Sequence, residues 1–151
     1  MKEYELLVQQ GELAEFEGIS ELFAALRADN VGVAITTGFP RDLLNGILAN
    51  LDWRSKIDVS VASDEVKAGR PAPDMIFRSL DVYSNLSNQE ISPEEIAVVG
   101  DTESDMRSGV TAGAALVVGV TSGAHSAEQL KDAGATHVLE SATQLLTVIN
   151  H

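Results

Sequence analysis

The chain contains no cysteine. That absence excludes a disulfide framework, thiolate metal sites and a cysteine nucleophile together. Long apolar runs are missing as well: no stretch approaches the roughly 18 residues that spanning a bilayer requires, so no membrane partner is expected. The opening residues Met1-Lys2-Glu3-Tyr4-Glu5 are acidic and carry no apolar core, so no secretory signal is read and a cytoplasmic location is expected. Positive charge is scarce. Ten Lys and Arg stand against 23 Asp and Glu, a net charge of −13. A surface of that sign repels phosphate backbones at long range, which argues against nucleic acid as a partner. Aromatic residues are few, at 5%, but hydrophobic residues reach 44% of 151, enough to build one core and to exclude a disordered chain.

Five β-rich runs occur: Val31–Thr36, Ile57–Ala62, Ile96–Val99, Ala115–Val120 and a weaker Thr136–Leu139. Several are almost continuously apolar, as strands covered on both faces should be. Segments with helical spacing lie between them. Ile19, Leu22, Phe23 and Leu26 form one stripe and end at the turn-like Asp29-Asn30; Leu43, Leu44, Ile47, Leu48 and Leu51 form a second, with Pro40 suited to its first turn. Met75, Ile76, Leu80 and Tyr83 predict a third helix, a fourth follows Asp101, and two short ones cover Ser126–Ala133 and Ser141–Ile149. Ser84–Ser92 reads as a plain loop. Alternation of this kind predicts an α/β fold, a Rossmann-like parallel sheet with helices on both faces. Residues 1–17 fit this order poorly and read as the tail of another helical element, so the α/β core is assigned to 18–151.

Ligands of open parallel sheets bind beyond the carboxyl ends of the strands. There the sequence places Thr36-Thr37-Gly38, then Lys67-Ala68-Gly69-Arg70-Pro71, then Gly100-Asp101-Thr102-Glu103-Ser104-Asp105. Asp101 and Asp105, four apart at a strand-to-helix turn, suit either Mg²⁺ or the capping of the helix that follows. Arg70 suits a phosphate group, a salt bridge to Asp101 or Asp105, or plain solvent. Thr37 suits an anion or the N-cap of the next helix. Lys67 is a weaker candidate. His125, His137 and His151 show no ligand spacing, and neither a Gly-x-Ser-x-Gly elbow nor a Gly-x-Gly-x-x-Gly fingerprint is present.

Taken together, Ile35-Thr-Thr-Gly-Phe39, Ala68-Gly-Arg-Pro-Ala-Pro-Asp-Met-Ile76, Val98-Val-Gly-Asp-Thr-Glu-Ser-Asp105 and Val118-Gly-Val-Thr-Ser-Gly-Ala-His125 resemble the haloacid dehalogenase superfamily of phosphohydrolases, most nearly its phosphonatase-like branch. The resemblance covers about residues 18–148. It implies that Thr37, with Thr36 as the less favoured neighbour, holds a phosphate; that Arg70 neutralises the phosphoryl group and the nucleophile; and that Asp101 binds Mg²⁺ with Asp105 in support. The implied ligand is a small phosphorylated molecule.

The superfamily's first motif, Asp-x-Asp at the end of its first strand, supplies the nucleophile and the general acid/base. Aspartates stand here at 29, 42, 52, 58, 64, 74, 81, 101, 105 and 132, and no two are spaced i, i+2. The resemblance therefore implies a chain lacking its first strand and most of its helical cap, with residues 1–17 a remnant of that cap. The lysine that phosphonatases use for Schiff-base chemistry belongs to the cap and is not matched. Such a chain should bind Mg²⁺ weakly and be inactive alone, or nearly so. The absent strand would sit between those ending at Thr36 and Val99. The gap is expected to close by direct pairing of those strands, by a partner chain such as a homodimer covering the exposed edges, or by residues 1–17. The alternatives are a non-catalytic binding or assembly module and one half of a split hydrolase; a phosphoacceptor receiver is a distant third.

Overall fold

A computed structural model describes residues 18–121 and 125–149. The expected cap remnant, residues 1–17, lies outside them. Helix α1 (Ile19–Ala28) buries Ile19, Leu22, Phe23 and Leu26, the stripe read from the sequence. Its Phe23 ring meets Trp53 edge-on with centroids 5.1 Å apart, a favoured aromatic geometry. Asn30 follows at φ 65°, a left-handed conformation that asparagine tolerates, and it turns the chain toward β1 (Ala34–Thr36). Then come α2 (Arg41–Leu51), β2 (Val59–Val61), α3 (Asp74–Ser87), β3 (Ala97–Gly100), α4 (Glu103–Ala112), β4 (Leu116–Val120), α5 (Ala127–Asp132) and β5 (His137–Leu139). A 3₁₀ turn at Ala142–Leu145 runs into α6 (Leu146–Ile149), and two further 3₁₀ turns lie at Ser63–Glu65 and Pro93–Glu95.

One boundary differs from expectation. Helix α3 runs through Ser87, so half of the expected Ser84–Ser92 loop is helical. Ser87 supports it by donating its hydroxyl to the Tyr83 carbonyl at 2.8 Å, and the helix stops where Asn88 turns left-handed at φ 55°.

All strand pairs are parallel, as expected, and among the described residues they form two sheets. In one, β1 pairs β2 with Thr36 opposite Val61; in the other the order is β3-β4-β5, with Val99 opposite Val118 and Val120 opposite Leu139. Helices cover both faces. On β4, Leu116 and Val118 point to the layer built by α1, α2 and the C-terminal turn, whereas Val117 points to Met106 of α4 and Leu130 of α5. On β2, Val59 and Val61 pack against Met75, Val82 and Tyr83 of α3.

Among the described residues β1 and β3 do not pair with each other, so direct closure of the gap is not seen. The other two expected routes, a partner chain and residues 1–17, lie outside those residues. Burial tells the same story. On β2, Val59 and Val61 are at 4% and 1% exposure, while on β3 Val99 is 37% exposed. Interior strands of an α/β sheet should be the more buried ones. Among the described residues β1 and β3 are both edge strands, and neither is fully buried.

Candidate active site

The loops that follow β2 and β3 meet directly. The Arg70 guanidinium donates through Nη1 to Oδ1 of Asp105, a short charge-assisted contact that links the two sheets at their carboxyl ends. Both side chains are largely buried, at 17% and 6% exposure. The Arg70–Pro71 peptide is cis.

Asp105 has a second set of partners. Its Oδ2 accepts the backbone N–H groups of Asp101 at 3.1 Å and Thr102 at 3.2 Å. Thr102, the N-cap of α4, returns its hydroxyl oxygen to the Asp105 N–H at 3.1 Å, completing a capping box. Both carboxylate oxygens are thus engaged, one by a cation and one by the helix start. Of the readings open at the sequence level, the salt bridge from Arg70 and the backbone capping by Asp105 are both realised.

Asp101 sits differently. It is half-buried, it is not the N-cap, and its carboxylate has no hydrogen-bond or ion-pair partner among the described residues. Asp101 can turn to a ligand without first giving up a protein contact.

On the other sheet, Thr36 ends β1 half-buried, and Thr37 just beyond it is 1% exposed. Thr37 does not cap α2. Its backbone N–H donates to the Val61 carbonyl at 3.2 Å, and its Oγ1 accepts the Phe39 N–H at 3.2 Å. The hydroxyl hydrogen is left free to donate. The cap residue of α2 is Pro40, and the Arg41 N–H goes to Asp64 Oδ1 at 3.0 Å. Lys67 is exposed with no partner among the described residues.

A lock around Arg41 escapes a sequence reading. The Arg41 guanidinium reaches Glu65 at 2.5 and 3.2 Å, Ser60 Oγ at 2.8 Å and the Ser60 carbonyl at 2.9 Å. Glu65 also accepts the Ala62 N–H at 2.8 Å. The loop leaving β2 toward Arg70 is thereby pinned to α2. The hydrogen bond from Arg41 holds the Glu65 carboxyl below its ordinary value of 4.5; burial opposes this and the Ala62 N–H assists it. A carboxyl whose folded pKa is lowered stabilises the fold above its unfolded pKa and loses that contribution as pH falls through the folded value. The parent chain is therefore expected to be more stable than Glu65→Gln near pH 7, the difference vanishing in acid. Urea unfolding of both between pH about 7 and about 3 checks this, and a pH-independent difference would contradict it.

The donor set can be tested against Mg²⁺. Among the described residues no three Asp, Glu, His or Cys side chains cluster as a metal cage. Mg²⁺ is often held by one or two carboxylates together with phosphate oxygens and waters. Asp101 fits that use, and Asp105, with both oxygens committed, fits the role of support. His125 is occupied too: its Nδ1 accepts the Glu103 N–H at 3.1 Å.

The sequence profile described as Haloacid dehalogenase-like hydrolase matches residues 1–119. The chain is 37% identical over 101 residues to a phosphonoacetaldehyde hydrolase of Bacillus cereus, covering 64% of this chain and 35% of that protein. It is 33% identical over 97 residues to a phosphonoacetaldehyde hydrolase of Parabacteroides distasonis, covering 63% and 34%. The chain therefore spans about a third of the length of the curated relatives it matches. Among solved structures, a hydrolase from Pseudomonas syringae superposes with a TM-score of 0.81, with 28% identity over 99% of this chain and 67% of that one.

Proposed function

The chain belongs to the haloacid dehalogenase-like hydrolases, and from that premise we propose that it supplies the phosphate- and metal-facing part of a phosphohydrolase site for a small phosphorylated metabolite. The observation that carries this reading is the Arg70–Asp105 pair beside an unengaged Asp101. Arg70 spends one donor on Asp105 and has four N–H groups left. No buried side-chain nitrogen or oxygen among the described residues lacks a partner, so Nε and Nη2, which carry three of the four, reach solvent, where a phosphoryl group can take them. The Thr37 hydroxyl adds a neutral donor. Bound Mg²⁺ would add charge stabilisation at the phosphoryl oxygens, with Asp101 as its ligand from this chain.

Turnover needs a carboxylate nucleophile, and no Asp-x-Asp occurs in these 151 residues. That β1 and β3 do not pair with each other among the described residues supports the reading that a strand carrying one lies between them. We accordingly infer that these residues alone bind a phosphorylated ligand without hydrolysing it, and that an added polypeptide ending a strand in Asp-x-Asp restores hydrolysis. The same two edge strands favour a second reading, assembly with another chain or a second copy.

The test is release of phosphate from small phosphomonoesters, with and without Mg²⁺, for the chain alone and after mixing with such a polypeptide. No release alone, followed by Mg²⁺-dependent release that Asp101→Asn abolishes, is the expected result. Substantial Mg²⁺-dependent turnover by the chain alone would overturn the division of labour. Absence of both release and phosphate binding would favour the assembly reading.

A further inference from the structure

We propose that Ser108 is a positioning residue for Arg70, holding the backbone of the Arg70 loop while Asp105, one turn earlier on the same helix, holds its guanidinium. The inference rests on the reading that Arg70 receives a phosphoryl group. Ser108 lies on α4 and is 1% exposed, and its hydroxyl donates to the Ala72 carbonyl at 2.8 Å, a partner 36 residues away. Serines inside helices commonly return the hydroxyl to the carbonyl four residues back. The same molecule shows that habit on α3, where Ser79 donates to Met75 and Ser87 to Tyr83, both at 2.8 Å. Ser108 departs from it and reaches across to a different segment.

Positions 105 and 108 share a face of α4, because residues three apart on a helix are neighbours. They grip residues 70 and 72 of one loop. The ion pair alone would fix the charged head of Arg70 and leave its long stem free to bring that head in from several directions. Tying Ala72 fixes the stem. The loop also closes on itself through the Ala72 N–H to the Gly69 carbonyl at 3.0 Å, and on α3 through the Ala68 N–H to Asp74 at 3.2 Å. With the Ser108 hydrogen bond added, α4 sets both where Arg70 starts and where it ends.

Ser108→Ala removes the tie, and Ser79→Ala removes a helical serine hydroxyl that touches nothing in the loop. Two readouts apply to each variant of the 151-residue chain: affinity of the folded protein for inorganic phosphate in the presence of Mg²⁺, and amide hydrogen exchange at Ala72. For Ser108→Ala the expected result is phosphate affinity about tenfold weaker and Ala72 exchange faster by a similar factor, the equilibrium equivalent of one hydrogen bond. Ser79→Ala should alter neither. The Ala72 N–H is held by the Gly69 carbonyl and not by Ser108, so its exchange reads how often the loop opens; unchanged exchange would mean that Ser108 does not hold the loop closed and would overturn the proposal. Faster exchange with unchanged phosphate affinity would overturn the positioning role, since a purely structural serine does that. Failure of the parent chain to bind phosphate would be seen before any variant is compared; it would overturn the reading of Arg70 and the positioning role with it.

Discussion

Asp105→Ala is expected to cost about 3–5 kcal/mol of folding stability, the size of effect seen when one partner of a buried ion pair is removed. Three groups lose their acceptor at once. The Arg70 guanidinium, 17% exposed, keeps its charge but loses its counter-ion, and the N–H groups of Asp101 and Thr102 lose the oxygen that caps them. The loss is not confined to α4, because the same carboxylate ties the loop after β2 to the loop after β3. Asp105→Asn should be milder. An amide oxygen can serve either the guanidinium or the backbone pair, while the amide nitrogen, a donor, then faces the other donor. Urea unfolding of the three proteins at neutral pH decides the matter. A loss below about 1 kcal/mol for the alanine variant would place this pair with exposed surface ion pairs, which contribute little.

Much of this architecture is legible in the sequence because it depends on local pattern. The run Leu116–Val120 is apolar on alternate positions for two different cores, so it reads as a strand covered on both sides, and it is one. The α1 stripe appears unchanged as the buried face of its helix. The carboxyl-edge rule brought Thr37, Arg70, Asp101 and Asp105 to notice because each directly follows a strand or the loop leaving one. Long-range partnership is what a single sequence hides. Arg41 looks like an ordinary first-turn basic residue, and only the fold shows that Glu65, 24 positions later, receives it. Ser108 looks like any helical serine until Ala72 is found against it. Spacing alone leaves the two aspartates equal, and only the resemblance ranks Asp101 as ligand and Asp105 as support; the partners themselves, Arg70 and two backbone N–H groups on Asp105 and none on the Asp101 carboxylate among the described residues, come from the fold. Which strands pair with which is hidden for a related reason. Apolar runs announce strands, but nothing in them says whether neighbouring strands will find each other.

Two glycine-to-alanine changes should move stability in opposite directions. Gly100 ends β3 directly before Asp101, and a Cβ placed there would lie 2.3 Å from Asp105 Cβ and 2.5 Å from its Cγ and Oδ2. Its backbone is not in the left-handed region, so the constraint is space and not φ. The strand end must be bare for the Asp105 side chain to fold back over it and reach the Asp101 and Thr102 N–H groups. Gly100→Ala pushes that side chain away at its root, where no rotamer can relieve the contact, and overpacking of this kind costs about 1–3 kcal/mol. Arg70 is then displaced with its counter-ion, so inorganic phosphate should bind far more weakly to the folded variant. Gly46, inside α2, is the counterpart: a Cβ there meets nothing within 4 Å. Alanine at an open interior helical position gains about 0.5–1 kcal/mol over glycine, so Gly46→Ala should be slightly more stable than the parent and bind phosphate unchanged. Thermal or urea unfolding of the pair, with phosphate titration beside it, separates the two effects. Equal behaviour of the two variants would mean that Asp105 does not need the bare strand end, and Gly100 would lose its place in the site.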